Sequence, residues 1–242
     1  IIDIINLIKM NLNELRKKLQ EIKKRGFIES LRSGSTGIGY TLEKLLDLNE
    51  NNLPIPDLGG RVEIKTIRKD SQSLITLFTF NRGAWQISQS EIIKTYGYKD
   101  EKERLALKNT LFYKKEIPQN IMIEFDEVNN LIQLVDKQTK KVLAIWDIYN
   151  IVGKFMSKLG RLLVIFADRK YQNDKEFFYY NEGYILSNPS SRKFIKAFKD
   201  SLIGIDLRMH LKENGSVRNR GTGFRIKEKD LIELYENIVA IL

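Results

Sequence analysis

Apolar residues recur at three- and four-residue intervals near the start of the chain. Ile5, Ile8, Leu12, Leu15, Leu19 and Ile22 share one face, and the spacing predicts an amphipathic helix over residues 2–24. Lys17, Lys18, Lys23, Lys24 and Arg25 gather toward its end, where cations suit the helix dipole, and Gly26 stops it. Ser33-Gly34-Ser35-Thr36-Gly37-Ile38-Gly39 interrupts the pattern, and helical spacing resumes over residues 41–48 with Leu42, Leu45 and Leu46. Residues 51–60, with Pro54 and Pro56, read as a loop. Period-two alternation then predicts strands over 61–68 and 73–80. Residues 86–108 are polar and helical in part. Three strands, 121–125, 131–135 and 141–146, are joined by tight polar turns. A helix follows over 148–159, then strands over 162–166 and 176–180. Phe194, Ile195 and Phe198 mark a helix over 191–199, and 203–209 alternates again. A polar loop over 210–221, a short strand over 223–227 and a closing helix over 230–241 complete the reading. No repeat is visible. The fold class expected is mixed α/β or α+β, with a sheet of several strands flanked by helices.

Composition narrows the chemistry. The 242 residues include no cysteine, which excludes disulfides, thiolate zinc sites, iron–sulfur clusters and a thiol nucleophile. A single histidine, His210, excludes multi-histidine metal sites. Its expected role is structural or a backbone contact rather than catalysis. Lys and Arg number 41 against 31 Asp and Glu, a net +10 that favours a polyanionic partner. More than half of that excess falls in residues 190–230. Nothing approaches the ~18 uninterrupted apolar residues of a membrane span. The start lacks a signal peptide's basic front and cleavage site, so a cytoplasmic location is expected.

The candidate chemistry lies around residues 57–65. Pro56-Asp57 is followed after five residues by Glu63-Ile64-Lys65. On a strand, Glu63 and Lys65 point to one face, roughly 6.6–6.8 Å apart along the strand, while Val62 and Ile64 turn to the core. Asp57, on the preceding loop, can swing back beside Glu63. Two carboxylates suit Mg²⁺, a hard cation that takes oxygen ligands. Lys65 then holds or helps deprotonate an attacking water and offsets phosphate charge. Glu-Xaa-Lys on a strand is also a common solvated ion pair, so the motif alone is not decisive. Glu43, on the preceding helix, can point at the same site.

A wider set of motifs is specific. Thr36-Gly37-Ile38-Gly39, then Glu43, precedes Pro56-Asp57 and Glu63-Ile64-Lys65-Thr66. T-L-F-T follows at residues 76–79, D-L-R at 206–208 and G-T-G-F-R-I at 221–226. In this order the motifs resemble the PD-(D/E)XK restriction endonucleases of the MvaI/BcnI type, relatives of the mismatch-repair nickase MutH. The resemblance spans nearly the whole chain, with residues 86–200 least distinctive. It implies a restriction-endonuclease-like core and two lobes around a basic DNA cleft: a mainly catalytic lobe in residues 1–118 and a mainly DNA-recognition lobe in 119–242, with interleaved lobes the alternative. It implies Mg²⁺-dependent cleavage of double-stranded DNA at a short site, with Asp57, Glu63 and Lys65 catalytic, Asp57 and Glu63 on the metal, and Glu43 auxiliary. Whether one or two metal ions act is left open. It further implies a monomer cutting one strand at a time, leaving a 5′-phosphate and a 3′-hydroxyl, alongside a cognate DNA methyltransferase. The alternatives are a MutH-like repair nickase and a non-catalytic DNA-binding protein, the latter disfavoured by the intact Asp57, Glu63 and Lys65.

Two features depart from the family pattern. Gly59-Gly60 lengthens the catalytic loop, and Arg218-Asn219-Arg220 stands where family members carry histidine. The expected DNA contacts are Thr36, Lys69, Arg208, Arg218, Asn219, Arg220, Thr222 and Arg225. Arginine grips guanine and asparagine grips adenine with two bonds each, but arginine equally serves phosphates. Arg208 and Arg220 are the expected base readers, Asp206 orients Arg208 or accepts from cytosine, and Lys69 meets backbone phosphate or solvent.

Overall fold

The computed structural model describes residues 12–48, 62–80 and 84–242. Within them the chain runs α1 (Leu12–Lys24), β1 (Ile28–Glu29), α2 (Gly37–Leu45), β2 (Glu63–Arg68) and β3 (Leu74–Phe80). Then come α3 (Gln89–Tyr96), β4 (Tyr98–Lys99), β5 (Leu105–Leu107), β6 (Thr110–Phe112), β7 (Ile121–Asp126), β8 (Leu131–Asp136) and β9 (Val142–Asp147). Helix α4 (Ile148–Lys158) leads to the long strands β10 (Arg161–Gln172) and β11 (Lys175–Pro189), followed by α5 (Ser191–Lys199). Strands β12 (Ile203–Asp206), β13 (Met209–Leu211), β14 (Val217–Asn219) and β15 (Thr222–Lys227), a 3₁₀ helix (Glu228–Leu234) and β16 (Tyr235–Ala240) complete it. The described residues form two compact units that interleave along the chain: those up to residue 72 with 159–189 and 235–242 in one, and those from 73 to 158 with 190–234 in the other.

The first unit is one sheet, ordered β1-β11-β10-β2, with β16 pairing β11. β2 lies parallel to β10, and β10 and β11 form an antiparallel hairpin. Residues 162–167 of β10 are all buried, the continuous apolar run of a strand covered on both faces. Ile64, Leu163, Ile165, Phe178 and Tyr180 turn to one face, where Leu15, Leu19 and Ile22 of α1 and Ile38 and Leu42 of α2 cover them. That apolar stripe is the one read from the spacing of α1. The buried Tyr180 hydroxyl donates to the Ile38 carbonyl at 2.9 Å, satisfying the one polar atom this ring carries inward.

The second unit holds three sheets: β3-β15-β12-β6, β14-β13-β5-β4 and the meander β7-β8-β9. Phe78 stacks on Phe224 with centroids 5.1 Å apart, and Phe194 of α5 packs against Phe155 of α4 at 4.9 Å. Helix α5 begins where Ser190 accepts from the Lys193 N–H, so its predicted bounds and its cap coincide.

Some expectations need correction. The closing helix over 230–241 is a 3₁₀ helix followed by a strand: Leu231 and Leu234 are buried in the former, and β16 pairs antiparallel with β11. The loop over 210–221 contains a hairpin, β13–β14, with Gly215 at φ +77° in its turn. The strands over 162–166 and 176–180 extend into the β10–β11 hairpin. No helix among the described residues is long and apolar enough to cross a membrane.

Candidate active site

Strand β2 ends its sheet, paired on one side with β10. Its register sets Glu63 opposite Leu162 and Lys65 opposite Val164, so both side chains stand on the face away from α1 and α2. There the Lys65 ammonium donates to Glu63 Oε1 at 2.8 Å. The Lys65 side chain is 33% exposed and the Glu63 side chain 19%, so water and a ligand reach the pair. Tyr235 of β16, whose hydroxyl donates to the Leu159 carbonyl at 2.9 Å, senses the same carboxylate. Burial pushes the Tyr235 phenol up, and the Glu63 charge adds to the rise.

Asp57 lies outside the described residues, together with the predicted loop over 51–60. Glu43 approaches β2 from the other face. A Cβ at Gly39 of α2 would sit 3.3 Å from Thr66 Oγ1 and 3.8 Å from Glu43 Oε1, so carboxylate and hydroxyl flank that glycine. Thr66 shares the Ile64 face, opposite Glu63 and Lys65. The structure therefore brings Glu63 and Lys65 together and places the Glu43 carboxylate near Gly39 of α2. Among the described residues no cluster of three or more acidic, histidine or cysteine side chains forms. Among the described residues the donor chemistry at this pair, a carboxylate with no imidazole or thiolate beside it, fits a hard divalent cation.

The small-residue segment before α2 is held in place by Arg68, three residues beyond Lys65 on the same strand. Its guanidinium donates to the Gly34 and Ser35 carbonyls at 3.1 and 3.0 Å and pairs with Glu176 of β11 at 3.1 Å. Gly37 passes so close to Arg32 that a Cβ there would lie 2.2 Å from the Arg32 carbonyl oxygen. Thr36 occupies the N-cap of α2, exposed and with no capping bond from its hydroxyl. Sequence reading passed over Arg68. Its only signal is a cation on the strand of Glu63 and Lys65, facing away from Lys65.

Lys69 is not free. Its ammonium pairs with Glu182 at 2.8 Å and lies 4.0 Å from Asp168, and the Glu182 hydrogen bond raises its pKa. The same bond holds the Glu182 carboxyl below its ordinary value.

The second unit gathers most of the other predicted residues around the β12–β15 strands. Arg208 donates from Nε to the Gly221 carbonyl at 3.2 Å and from Nη2 to Thr79 Oγ1 at 2.9 Å and the Arg220 carbonyl at 3.2 Å. Most of its donors are thus spent inside the protein. Arg225 donates to the Leu74 carbonyl at 2.6 Å and to Asp206 at 3.5 Å, while Asp206 also accepts from Thr110 at 3.1 Å. Thr222 is buried. Asn219 turns inward: its amide donates to Gln89 at 3.0 Å and its carbonyl accepts from the Gly221 N–H at 2.7 Å, shaping the turn into β15. Arg218 and Arg220 are exposed. Thr79, which anchors Arg208, was missed as a contact although it closes the T-L-F-T motif.

Comparison with known proteins converges on one family. The model of the MvaI/BcnI restriction endonuclease family matches residues 16–235. A solved structure described as a restriction endonuclease MvaI–cognate DNA substrate complex is similar with a TM-score of 0.74 and 28% identity, covering 97% of this chain and 100% of that one. Restriction endonuclease MvaI in the absence of DNA is similar with a TM-score of 0.59 and 25% identity, covering 97% of this chain and 99% of that one. Among curated proteins none matches this chain. The family resemblance and the mixed α+β fold read from the motifs are both borne out.

Proposed function

The chain belongs to the MvaI/BcnI restriction endonuclease family, and on that premise we propose that this type II restriction endonuclease hydrolyses double-stranded DNA at a short specific site with Mg²⁺, as a monomer cutting one strand at a time. The reading rests on one observation above the others: within the matched span, an edge strand presents a carboxylate and an ammonium in contact at 2.8 Å, partly open to solvent. Similarity to an endonuclease solved on its cognate DNA supports duplex DNA as the substrate. We further infer a cytoplasmic location and a cognate DNA methyltransferase that protects the host's own sites.

Glu63 and Asp57 would hold the magnesium ion, which supplies Lewis-acid polarisation of the phosphate and a more acidic bound water. The Glu63 carboxylate keeps Lys65 aimed at the site through their hydrogen bond. Lys65 orients the attacking water, makes it more acidic through its positive charge so that a solvent water accepts the proton, and offsets charge that builds on the phosphate. Water adds to phosphorus, the bond to the 3′ oxygen breaks, and that oxygen leaves with a proton. The products are a 5′-phosphate and a 3′-hydroxyl. Glu43 acts as an auxiliary acid from the α2 side of the strand. Arg68 holds the segment around Thr36, whose exposed hydroxyl and neighbouring N–H groups serve a DNA phosphate. Arg220 reads a base, Arg225 and Thr222 support that surface, and Arg208 contributes through the two Nη1 donors it has left.

Incubation with supercoiled plasmid tests the reading. Mg²⁺-dependent conversion to nicked and then linear product is expected. A gel shift with no cleavage at any divalent ion would leave a DNA-binding protein instead. Equal cutting of every sequence would remove the restriction assignment.

A further inference from the structure

The sheet β14-β13-β5-β4 has two unlike faces. Leu107, Met209 and Asn219 form a row across it that looks toward α3, since Asn219 bonds Gln89 at the start of that helix. The next row, Tyr98, Ala106, His210 and Arg218, therefore faces the opposite way. Arg104 and Lys108 flank Ala106 on that same face. Arg104 Nη1 lies 3.3 Å from His210 Nε2, while Arg104 Nη2 and Lys108 Nζ reach Asp100 at 2.7 and 2.6 Å. The Asp100 side chain is only 8% exposed and accepts the Lys102 and Arg104 N–H groups as well. The turn also carries Glu101, Lys102 and Glu103, of which Glu103 pairs with Lys99. Asp100 thus fixes two cations beside the imidazole, Arg218 stands exposed on its other side, and positive charge is left over.

The contact between Arg104 and His210 has a chemical consequence. A guanidinium has no acceptor, so Nε2 accepts and the imidazole is neutral with its proton on Nδ1. Burial and the nearby Arg104, Lys108 and Arg218 charges hold the His210 pKa below its ordinary value, against an opposing effect of Asp100. Once protonated, Nε2–H and Nη1–H become two donors aimed at nearly the same point. They repel unless an anionic oxygen sits against both. Granting the DNA-binding reading above, we propose that this face of the sheet is a phosphate-contact surface for duplex DNA, in which Arg104, Arg218 and protonated His210 share a backbone phosphate, Asp100 is a positioning residue, and binding draws a proton onto His210.

Fluorescence anisotropy with a random-sequence duplex, in Ca²⁺ so that no cleavage intervenes, tests this between pH 8 and 6 over a series of salt concentrations. The affinity of the native protein should rise several-fold as pH falls, within the tenfold per pH unit that one proton allows. His210→Gln should bind with nearly the same affinity across the range. Arg218→Ala, at an exposed position that leaves the fold intact, should weaken all duplexes alike and reduce the salt slope by about one. Full pH dependence in His210→Gln, or an unchanged salt slope in Arg218→Ala, overturns the proposal. Retained cleavage of plasmid with such results would fault this surface alone, whereas failure of the native protein to bind any duplex would fault the nuclease reading itself.

Discussion

Replacing Lys65 by alanine separates catalysis from stability. The Lys65–Glu63 pair is partly exposed, with both charges in reach of water. Screening at such a site limits its contribution to about 0.2–1 kcal/mol. For a chain of this size that amounts to a fall in Tm of no more than ~4 °C. Glu63, left without its ammonium, stays hydrated and does not become a buried bare charge. The chemical step is different. Loss of the group that positions and helps deprotonate the water should slow cleavage by roughly 10²–10⁴-fold, about 2.7–5.4 kcal/mol on the barrier. Single-turnover conversion of supercoiled plasmid in Mg²⁺ measures the rate, anisotropy in Ca²⁺ measures binding, and a thermal melt measures the fold. The expected combination is nearly native binding, nearly native Tm and almost no cutting. A rate within tenfold of the native enzyme would refute the role of Lys65. A Tm lowered by more than ~10 °C would show instead that the pair holds up the sheet.

Three more outcomes follow from particular contacts. Arg208→Ala strips donors from Thr79 and from the Gly221 and Arg220 carbonyls, which should cost about 1–3 kcal/mol in urea unfolding and blur site choice; unchanged stability would return this guanidinium to a pure DNA contact. Gly37→Ala puts a Cβ 2.2 Å from the Arg32 oxygen, so a loss of about 1–3 kcal/mol is expected in the same assay, and a neutral result would show that the segment before α2 yields freely. Asp136 is held at about 2 by the Thr139 N–H and by the Tyr96 hydroxyl and the Gln138 N–H. Its depressed pKa means that its stabilisation is present above the ordinary carboxylate pKa and is lost as pH falls through about 2. Asp136→Asn should therefore flatten the acid limb of a Tm–pH profile between pH 4 and 2, and an unaltered limb would refute the assignment.

The local code was legible where period and cap agree. Ser190 and the Phe194, Ile195 and Phe198 triplet define α5 at both ends, and the alternation through residues 62–65 put Ile64 in the core and Glu63 with Lys65 outside it. It failed where a distant partner decides. Leu231, Leu234, Ile238 and Ile241 have helical spacing, yet β16 forms because β11 offers it an unpaired edge. The β13–β14 hairpin hid in a polar stretch because its strands are three residues each and bury little. Residue type also could not say where an arginine spends its donors. Arg208, expected to read a base, also holds the backbone of its own neighbours, and Lys69, expected to meet backbone phosphate or solvent, pairs with Glu182.

Strand β2 leans on β10, a neighbour made roughly a hundred residues later in synthesis, and the connection is parallel. A growing polypeptide on the ribosome therefore carries Glu63 and Lys65 long before it owns the surface that seats them. Until residues 161–172 emerge, β2 lacks the strand it pairs with in the folded protein. For a restriction endonuclease, this order of assembly means that a copy ending before residue 161 carries Glu63 and Lys65 without the strand that seats them.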